Sequence, residues 1–220
     1  MQNKRINIIL DIDETLLHTY SFNFNNYKNT TIINPTKSNI GIINLPNYLG
    51  LVYIRPFLFE FLKYCFKFFN VGFWTAGSTL YCREVLKIIL SKEQYEKSTI
   101  ILARDNENYV NIKTNIIYKN INNPKKIMKP LSLLWNDKEL GILFNNKNTL
   151  LIDNDNNILF DNPNNSICIQ AYDRLNNDDI ILCCLSNWLN IIKNTNNIQN
   201  VEKNIKDISE SCKNLKNYSE

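Results

Sequence analysis

The sequence predicts an α/β protein with a doubly wound, mainly parallel sheet, a small antiparallel β insertion after the first strand and no large cap. Apolar, β-branched segments typical of buried strands alternate with amphipathic helices along the 220 residues, and no internal repeat is visible. Polar residues suited to phosphate or metal chemistry follow three of these strands, at Asp11, Thr75 and Asp153. Because ligands of such sheets bind outside the carboxyl ends of the strands, we expect one shared site there.

Two carboxylates, Asp11 and Asp13, follow the first predicted strand, Ile6–Leu10. An Asp-x-Asp pair at a strand end can present both side chains at one opening. The two charges repel each other unless a cation or a shared proton intervenes, and oxygen ligands without nearby His or Cys suit Mg²⁺. A bare Asp-x-Asp is more often a surface turn, but the buried strand before it and the segment Glu14–Leu17 after it favour a Mg²⁺ and phosphate site.

The segment at about 19–50 is rich in Asn, Thr and Tyr and contains short β-like pieces at Thr31–Ile33 and Ile40–Leu45. This composition, punctuated by proline, is typical of a small antiparallel insertion. Its aromatic residues either form a binding face or pack the insertion onto the body, and the sequence favours neither interpretation. These residues are Tyr20, Phe22, Phe24, Tyr27 and Tyr48.

A short strand, Leu51–Ile54, is predicted to lead into Arg55-Pro56 and an amphipathic helix with apolar positions from Leu58 to Phe69.

The next strand, Val71–Trp74, ends at Thr75-Ala76-Gly77-Ser78, and a helix is predicted from Thr79 to about Leu90. A strand, a turn with hydroxyls and a helix form the shape of a phosphate cradle. Ser78 or Thr79 is the expected N-cap of the helix, which leaves Thr75 as the hydroxyl for the phosphate.

The remaining chain continues the alternation. An irregular insertion over 106–126, predicted as a hairpin, separates the third strand from a short helical or looped stretch, and a last helix is predicted near the C-terminus. The predicted elements are strands at Thr99–Ala103, Thr149–Ile152 and Ser166–Gln170, a helical or looped stretch at Lys129–Trp135, and helices at Asp178–Lys193 and Val201–Leu215.

Composition excludes several classes of function. The net charge is only +4, and the lysines are diluted by asparagine, so no basic stripe indicates direct binding of nucleic acid. The single histidine, His18, excludes a zinc site and a Ser-His-Asp triad. No apolar run is long enough for a membrane span. The six cysteines form no Cys-x-x-Cys pair and no secretory signal is present, so we expect reduced, largely buried thiols and a nuclear or cytoplasmic location.

The segment Asp11–His18, Asp-Ile-Asp-Glu-Thr-Leu-Leu-His, resembles the Asp-x-Asp-x-Thr signature of the haloacid-dehalogenase superfamily. More narrowly, it resembles phosphatases of the RNA polymerase II C-terminal-domain (CTD) type, the small CTD phosphatase or NLI-interacting-factor-like group. Lys129-Pro130-Leu131 with Trp135 is similar to the ubiquitin-like-domain-containing members, although these 220 residues include no ubiquitin-like domain. The resemblance extends from about Asn7 to Trp188 and implies a Rossmann-like sheet of the haloacid-dehalogenase type.

The resemblance implies a role for each residue. Asp11 matches the nucleophile that forms an aspartyl-phosphate, and Asp13 matches the general acid that later activates water. Thr75 matches a hydroxyl that binds a phosphoryl oxygen, and Lys129 a cation for the transferring group. The implied catalytic residues are Asp11, Asp13, Thr75, Lys129 and Asp153; the substrate-binding residues are Thr75, Ala76, Lys129 and Arg55; the Mg²⁺ ligands are Asp11, Asp13 and Asn154.

The residues and the resemblance together predict a Mg²⁺-dependent protein serine/threonine phosphatase that acts on an extended phosphopeptide. The RNA polymerase II C-terminal domain as substrate is what the resemblance implies. We expect a monomer with a phosphatase domain over 1–194 and a C-terminal tail or peripheral helix over 195–220. One alternative is a catalytically weak phosphopeptide-binding module resembling import receptors, which the intact motifs disfavour. A second is a phosphatase of small molecules or polynucleotide 3′ ends, against which Glu14, the weak basic character and the absence of a cap count.

Overall fold

The computed structural model describes residues 5–23, 40–46, 48–119, 129–176 and 178–201, together with residues 203, 208 and 212. Two sheets organise these residues. The strands are β1 (Asn7–Leu10), β2 (Leu17–Asn23), β3 (Ile40–Leu45), β4 (Tyr48–Ile54), β5 (Asn70–Ser78), β6 (Ile101–Asp105), β7 (Asn108–Asn111), β8 (Ile117–Tyr118), β9 (Thr149–Asp153) and β10 (Ser166–Cys168).

The main sheet has seven strands in the order β10-β9-β1-β5-β6-β7-β8, and its first five are parallel. All residues of β1 and β9 are buried, as expected of apolar strands covered on both faces. Leu10 of β1 lies opposite Phe73 of β5 and Ile152 of β9. The carboxyl ends of these three strands therefore lie side by side, as the sequence predicts.

The insertion after β1 is a three-stranded antiparallel sheet in the order β2-β4-β3. The predicted strand Ile40–Leu45 is confirmed as β3. Leu51–Ile54, however, is not a separate strand, because it forms the second half of β4 and pairs with β2 along its whole length. The small sheet consequently spans Leu17 to Ile54, and the predicted piece Thr31–Ile33 lies outside the described residues.

Helices cover both faces of the main sheet and confirm the doubly wound fold. Apolar residues of β1 alternate between two core clusters. Ile8 and Leu10 pack with α1, α2 and α6, whereas Ile9 packs with α4. The helices are α1 (Leu58–Phe68), α2 (Thr79–Ile89), α3 (Lys92–Lys97), α4 (Ser132–Trp135), α5 (Asn157–Asp161) and α6 (Ile181–Ile192), with short 3₁₀ helices at Leu140–Ile142 and Ile198–Asn200.

The predicted insertion after β6 forms the antiparallel strands β7 and β8, which extend the main sheet. Residues 120–128 lie outside the described part of the chain, as does most of the predicted helix Val201–Leu215. Within the described ranges, no helix has the length and apolar character needed to cross a bilayer.

The expectation that all six cysteines are free thiols is wrong for two of them. Cys184 of α6 and Cys212 form a disulfide, with a Cα–Cα distance of 5.0 Å. The two residues are 28 positions apart, so their spacing carries no sequence signal, whereas folding brings their Cα atoms within bonding range. Cys65, Cys82, Cys168 and Cys183 remain free thiols.

Candidate active site

A cavity of about 230 Å³ lies at the carboxyl ends of β1, β5 and β9. Most of the residues that line it carry carboxylate or amide oxygens, which can bind a metal ion, and one carries an ammonium group. The lining residues are Asp11, Asp13, Glu14, Ala76, Lys129, Asp153, Asn154 and Asp155. The structure thus brings together the predicted site residues Asp11, Asp13, Ala76, Lys129, Asp153 and Asn154.

Lys129 bridges two carboxylates at the base of the cavity. Its Nζ donates to Asp11 Oδ1 at 2.5 Å and to Asp153 Oδ2 at 2.6 Å. All three side chains are nearly inaccessible to solvent, with side-chain exposures of 2–6%. Asp11 follows β1 directly, and its backbone N–H donates to the carbonyl of Ile152 at 2.9 Å, which extends the sheet ladder to the functional residue.

The backbone on either side of Pro130 is fixed by Asn162. Its Nδ2 donates to the Lys129 carbonyl at 2.9 Å, and its Oδ1 accepts from the Leu131 N–H at 2.8 Å. Asn162 is only 3% exposed, so these bonds form in a dry environment where an unpaired amide would be costly. Lys129 lies outside any strand or helix, so these two bonds from Asn162 fix the backbone from which the Lys129 side chain reaches Asp11.

Asp13 is oriented by two hydroxyl groups. Its Oδ2 accepts from Thr75 Oγ1 at 3.0 Å, and its Oδ1 accepts from the hydroxyl of Tyr81. The Tyr81 oxygen is also 2.7 Å from Thr19 Oγ1, which connects the α2 helix to the small sheet. In contrast to Asp11, Asp13 has no contact with Lys129 in the described structure and is partly exposed, as a group that exchanges protons with substrate and water must be.

Thr75 reaches the site because β5 is irregular at its end. The pairing of β5 with β6 shifts register between Trp74 and Ser78, as at a β-bulge, which redirects side chains at a strand terminus. The Gly77 N–H then donates to Thr75 Oγ1 at 2.8 Å. Ser78 is the N-cap of α2, as predicted, and accepts from the Tyr81 N–H at 3.2 Å. The phosphate-binding role of Thr75 stays a prediction, because its hydroxyl donates to Asp13 in this structure.

Asn154 and Asp153 lie at the end of β9. The Asp153 Oδ1 accepts from the Asp155 N–H at 2.9 Å, which leaves its other oxygen for Lys129. Thr15 donates from Oγ1 to Asn154 Oδ1 at 3.2 Å, across 139 residues of sequence. This bond connects the Asp-x-Asp-x-Thr segment to the end of β9.

The electrostatics of the cavity are dominated by burial and by an excess of carboxylates. Burial raises the pKa of Asp11 to about 7, because lost hydration outweighs the opposing charge of Lys129, and Asp153 and Asp13 add to the increase. Burial lowers the pKa of Lys129, but the charges of Asp11 and Asp153 outweigh it, so that the pKa lies above its ordinary value. Lys129 therefore remains protonated, and the cavity carries more negative than positive charge.

The donor set fits a magnesium ion. Five residues with carboxyl groups line the cavity beside one ammonium group, so a divalent cation would offset part of the negative charge before a phosphate enters. No group of three or more His, Cys, Asp or Glu side chains within the described ranges is arranged to hold a metal by itself. Mg²⁺ does not need one, because it typically takes one or two carboxylates and completes its shell with amide or carbonyl oxygens, water and phosphate. Asp11, Asn154 and the backbone of Asp13 are suited to it.

Arg55 does not lie in the cavity, and its predicted contact with substrate is corrected here. The side chain is 1% exposed and forms a buried ion pair with Asp179, Nη2 to Oδ2 at 2.9 Å. Other donors of the guanidinium bind the carbonyls of Thr15 and Gln170, each at 2.9 Å. Arg55 thus positions the segment after Asp13 from behind, because its donors are occupied by protein atoms.

Sequence reasoning missed two residues that orient the site, Tyr81 and Asn162. Tyr81 lies in the first turn of a predicted helix, and nothing in the local sequence separates it from an ordinary buried aromatic residue. Asn162 is one of many asparagines in an Asn-rich chain, so its identity carries no signal. Thr15 was part of the recognised signature, but its bond to Asn154 depends on the folded arrangement.

Comparisons with known proteins identify similar sequences and similar folds. The sequence model of the NLI interacting factor-like phosphatase family matches residues 6–202. A protein of Invertebrate iridescent virus 6, described as CTD phosphatase-like, is 30% identical over 149 residues, which cover 66% of this chain and 74% of the viral protein. A protein of the same description from Invertebrate iridescent virus 3 is 33% identical over 92 residues, covering 42% of this chain and 48% of that protein.

Two solved structures share the fold. A variant of the fission yeast RNA polymerase II CTD phosphatase Fcp1 bound to beryllium fluoride superposes with a TM-score of 0.55 at 18% identity, covering 98% of this chain and 52% of its own. A structure of Fcp1, an essential RNA polymerase II CTD phosphatase, gives a TM-score of 0.53 at 19% identity, covering 86% of this chain. The chain spans about half the length of these solved proteins. At such identities the likeness concerns the fold.

Proposed function

The chain belongs to the family of NLI interacting factor-like phosphatases, and from this premise we propose that it is a Mg²⁺-dependent protein serine/threonine phosphatase. In this proposal it works through an aspartyl-phosphate and acts on an extended phosphopeptide of the RNA polymerase II CTD kind. We propose the polymerase tail as substrate because the viral relatives are described as CTD phosphatase-like and the structural neighbours as CTD phosphatases.

One observation carries the proposal, namely the division of the cavity into two halves. On one side Lys129 joins Asp11 and Asp153, and on the other Thr75 and Tyr81 hold Asp13. In the first half, the Lys129 ammonium opposes the effect of burial on Asp11 and favours its ionised, nucleophilic form, whereas the second half suits an acid that exchanges protons. Two carboxylates in such different surroundings, two residues apart, support different chemical roles for each.

In the first step, the Asp11 carboxylate attacks phosphorus and forms a P–O bond while the bond from phosphorus to the serine oxygen breaks. Asp13, in its acid form, gives its proton to the departing serine oxygen. Lys129 stabilises the charge on the transferring group, and the Thr75 hydroxyl, which donates to Asp13 in this structure, donates instead to a phosphoryl oxygen when the substrate is bound. In the second step, water attacks phosphorus and gives a proton to the Asp13 carboxylate, and the Asp11–phosphorus bond breaks to release phosphate and restore both groups.

Asp11, Asn154 and the backbone of Asp13 would hold the magnesium ion. When bound, it supplies positive charge that offsets the carboxylates and the phosphate oxygens.

The proposed substrate class follows from what surrounds the cavity. The insertion after β1 is a three-stranded sheet in the described residues rather than a helical cap that encloses a metabolite. Glu14 lines the rim on the side of this sheet. An extended peptide can present a phosphate on a short serine side chain to such an open site.

Release of phosphate from a panel of substrates, with and without Mg²⁺, tests the proposal. The panel comprises phosphoserine and phosphothreonine peptides, p-nitrophenyl phosphate, sugar phosphates and 3′-phosphorylated DNA. We expect Mg²⁺-dependent turnover of the peptides, a hydroxylamine-sensitive phosphoprotein intermediate, and no turnover by Asp11→Asn. Turnover by Asp11→Asn would contradict the assignment of Asp11 as the nucleophile. A preference for sugar phosphates or 3′-phosphorylated DNA would contradict the proposed peptide substrate.

A further inference from the structure

Arg174, in the loop between β10 and α6, lies between two tyrosine rings. The centre of its guanidinium is 4.7 Å from the centroid of the Tyr20 ring and 5.2 Å from that of the Tyr53 ring. Its Nη1 donates to the Tyr53 hydroxyl at 3.1 Å. We call these three residues the tyrosine–arginine rim; Tyr20 belongs to β2 and Tyr53 to β4, so two strands of the small sheet and the loop contribute to it.

The charge of Arg174 is not matched by a carboxylate among the described residues, since none lies within ion-pair distance of it. Arg55 is the contrast within the same molecule, because a carboxylate and three carbonyls take up its donors. Aromatic faces hold a guanidinium in place without neutralising it, and they leave the N–H groups at its edge available to an acceptor. Arg174 is partly exposed and Tyr20 is 39% exposed, so such an acceptor can come from solution.

The tyrosine–arginine rim adjoins the edge of the cavity that Glu14 forms. The backbone N–H of Tyr172, two residues before Arg174, donates to the Glu14 carbonyl at 2.6 Å. On the other side, His18 Nδ1 is 2.7 Å from Glu14 Oε1, and its ring centroid is 6.3 Å from that of Tyr53. A peptide whose phosphoserine enters the cavity and whose chain leaves past Glu14 therefore passes the rim.

We propose that Arg174, held by Tyr20 and Tyr53, determines specificity by binding a second anionic group of the phosphopeptide, a carboxylate or a further phosphate. The inference rests on the proposed function. The carboxylates that line the cavity repel a second anion, whereas the rim offers a fixed cation beside it. A planar guanidinium with free edge donors is suited to both carboxylate and phosphate oxygens.

The test compares kcat/KM for a singly phosphorylated peptide with that for peptides carrying one additional glutamate or phosphoserine, walked along the positions on both sides of the target. We expect the wild-type protein to favour an additional anion at one position. In Arg174→Met the ratio of kcat/KM between the two peptides should fall about tenfold, the size expected for loss of one charge-assisted hydrogen bond. Lys87→Met, which removes an exposed cation of α2 that is remote from the cavity, should keep the wild-type ratio.

Arg174→Glu provides a second test, whose expected result is a changed preference rather than a loss of activity. It should reverse the preference, so that a peptide with lysine at the same position becomes the better substrate. If additional glutamate raises kcat/KM of the wild-type protein, a carboxylate is sufficient for binding to Arg174. If only additional phosphoserine raises it, the second group is a phosphate. Equal ratios in wild type, Arg174→Met and Arg174→Glu would overturn this inference while leaving the phosphatase in place. Failure of every phosphopeptide to be hydrolysed would overturn the proposed function and this inference with it.

Discussion

Asp13 is held by hydroxyl donors from two elements, and Tyr81 contributes the one that also contacts the small sheet. We expect Tyr81→Phe to lower kcat about tenfold on phosphoserine peptides, because the carboxyl group that protonates the leaving oxygen loses a donor that orients it. The loss should be smaller on p-nitrophenyl phosphate, since p-nitrophenolate leaves without needing a proton. Steady-state kinetics on both substrates measure the difference.

Tyr64→Phe is the matched control for this variant. The Tyr64 hydroxyl donates to Asn190 Oδ1 at 3.1 Å on the exposed side of α1, remote from the cavity. Its removal should leave kcat on both substrates unchanged. An equal loss on peptide and p-nitrophenyl phosphate in Tyr81→Phe would show that the tyrosine supports the fold of the site rather than proton transfer.

Asp11 makes the metal-free protein sensitive to pH. Burial raises its pKa from 3.8 to about 7 in the folded chain. Between these values the folded state holds a proton that the unfolded state has released, so the contribution of Asp11 to the free energy of unfolding decreases as pH rises through this window. We expect urea midpoints in the presence of a chelator to be lower at about pH 8 than at about pH 5, with a smaller difference in Asp11→Asn.

Magnesium should counteract this effect. A cation that binds ionised Asp11 stabilises the folded state most where no proton competes, so its effect on the urea midpoint should be larger at about pH 8 than at about pH 5. The same dependence on pH in wild type and Asp11→Asn would contradict the role given to Asp11.

At the scale of the element, the α2 helix connects fold stability to the site through its N-cap. Ser78 accepts from the Tyr81 N–H, and Ser91 caps α3 in the same way, accepting from the Gln94 N–H, each at 3.2 Å. Replacement of either serine by alanine should cost about 1 kcal/mol of stability, typical of a lost N-cap. Only Ser78→Ala should also lower kcat, because the residue that its side chain fixes, Tyr81, contacts Asp13. Comparable kinetic losses in both variants would refute this connection.

The long elements could be predicted because their periodicity is set by burial on the sheet. β3 has the predicted bounds, and α2 differs from its prediction by one residue. The short helices α3 and α5 were missed, since α3 buries none of its residues and begins at a capping box, and α5 has only five residues. The sequence could not show that Leu51–Ile54 belongs to the longer strand β4, because pairing with β2 determines where β4 begins.

The site could be predicted to the level of its chemical groups but not of its contacts. Asp11, Asp13, Thr75, Asp153 and Asn154 follow strands that are neighbours in the sheet, so topology brings them together. The bridge from Lys129 to two carboxylates, and the bonds from Tyr81 and Asn162, join parts of the chain that are 24 to 118 residues apart. No local pattern encodes such pairs.

At the scale of the whole molecule, the disulfide between Cys184 and Cys212 attaches the C-terminal segment to α6. A cross-link over 28 residues should stabilise the folded chain by about 3 kcal/mol, mainly by restricting the unfolded state. We therefore expect dithiothreitol to lower the urea midpoint of the wild-type protein. The double variant with Cys184→Ser and Cys212→Ser should start at the reduced value and not respond to reductant.

Cys183→Ser, which changes the adjacent free thiol, should retain the full response to dithiothreitol. An identical midpoint with and without reductant in the wild-type protein would show that the cross-link does not contribute to stability in solution.

The order of the strands has a consequence for biosynthesis. Asp11 emerges from the ribosome well before Lys129, Asp153 and the supporting Asn162, although all of them meet at one site. A nascent chain that stops before Asn162 carries the nucleophile without its ammonium partner fixed in place. We therefore expect turnover only from chains that extend beyond Asn162, and activity assays on arrested chains of increasing length would locate the onset of catalysis.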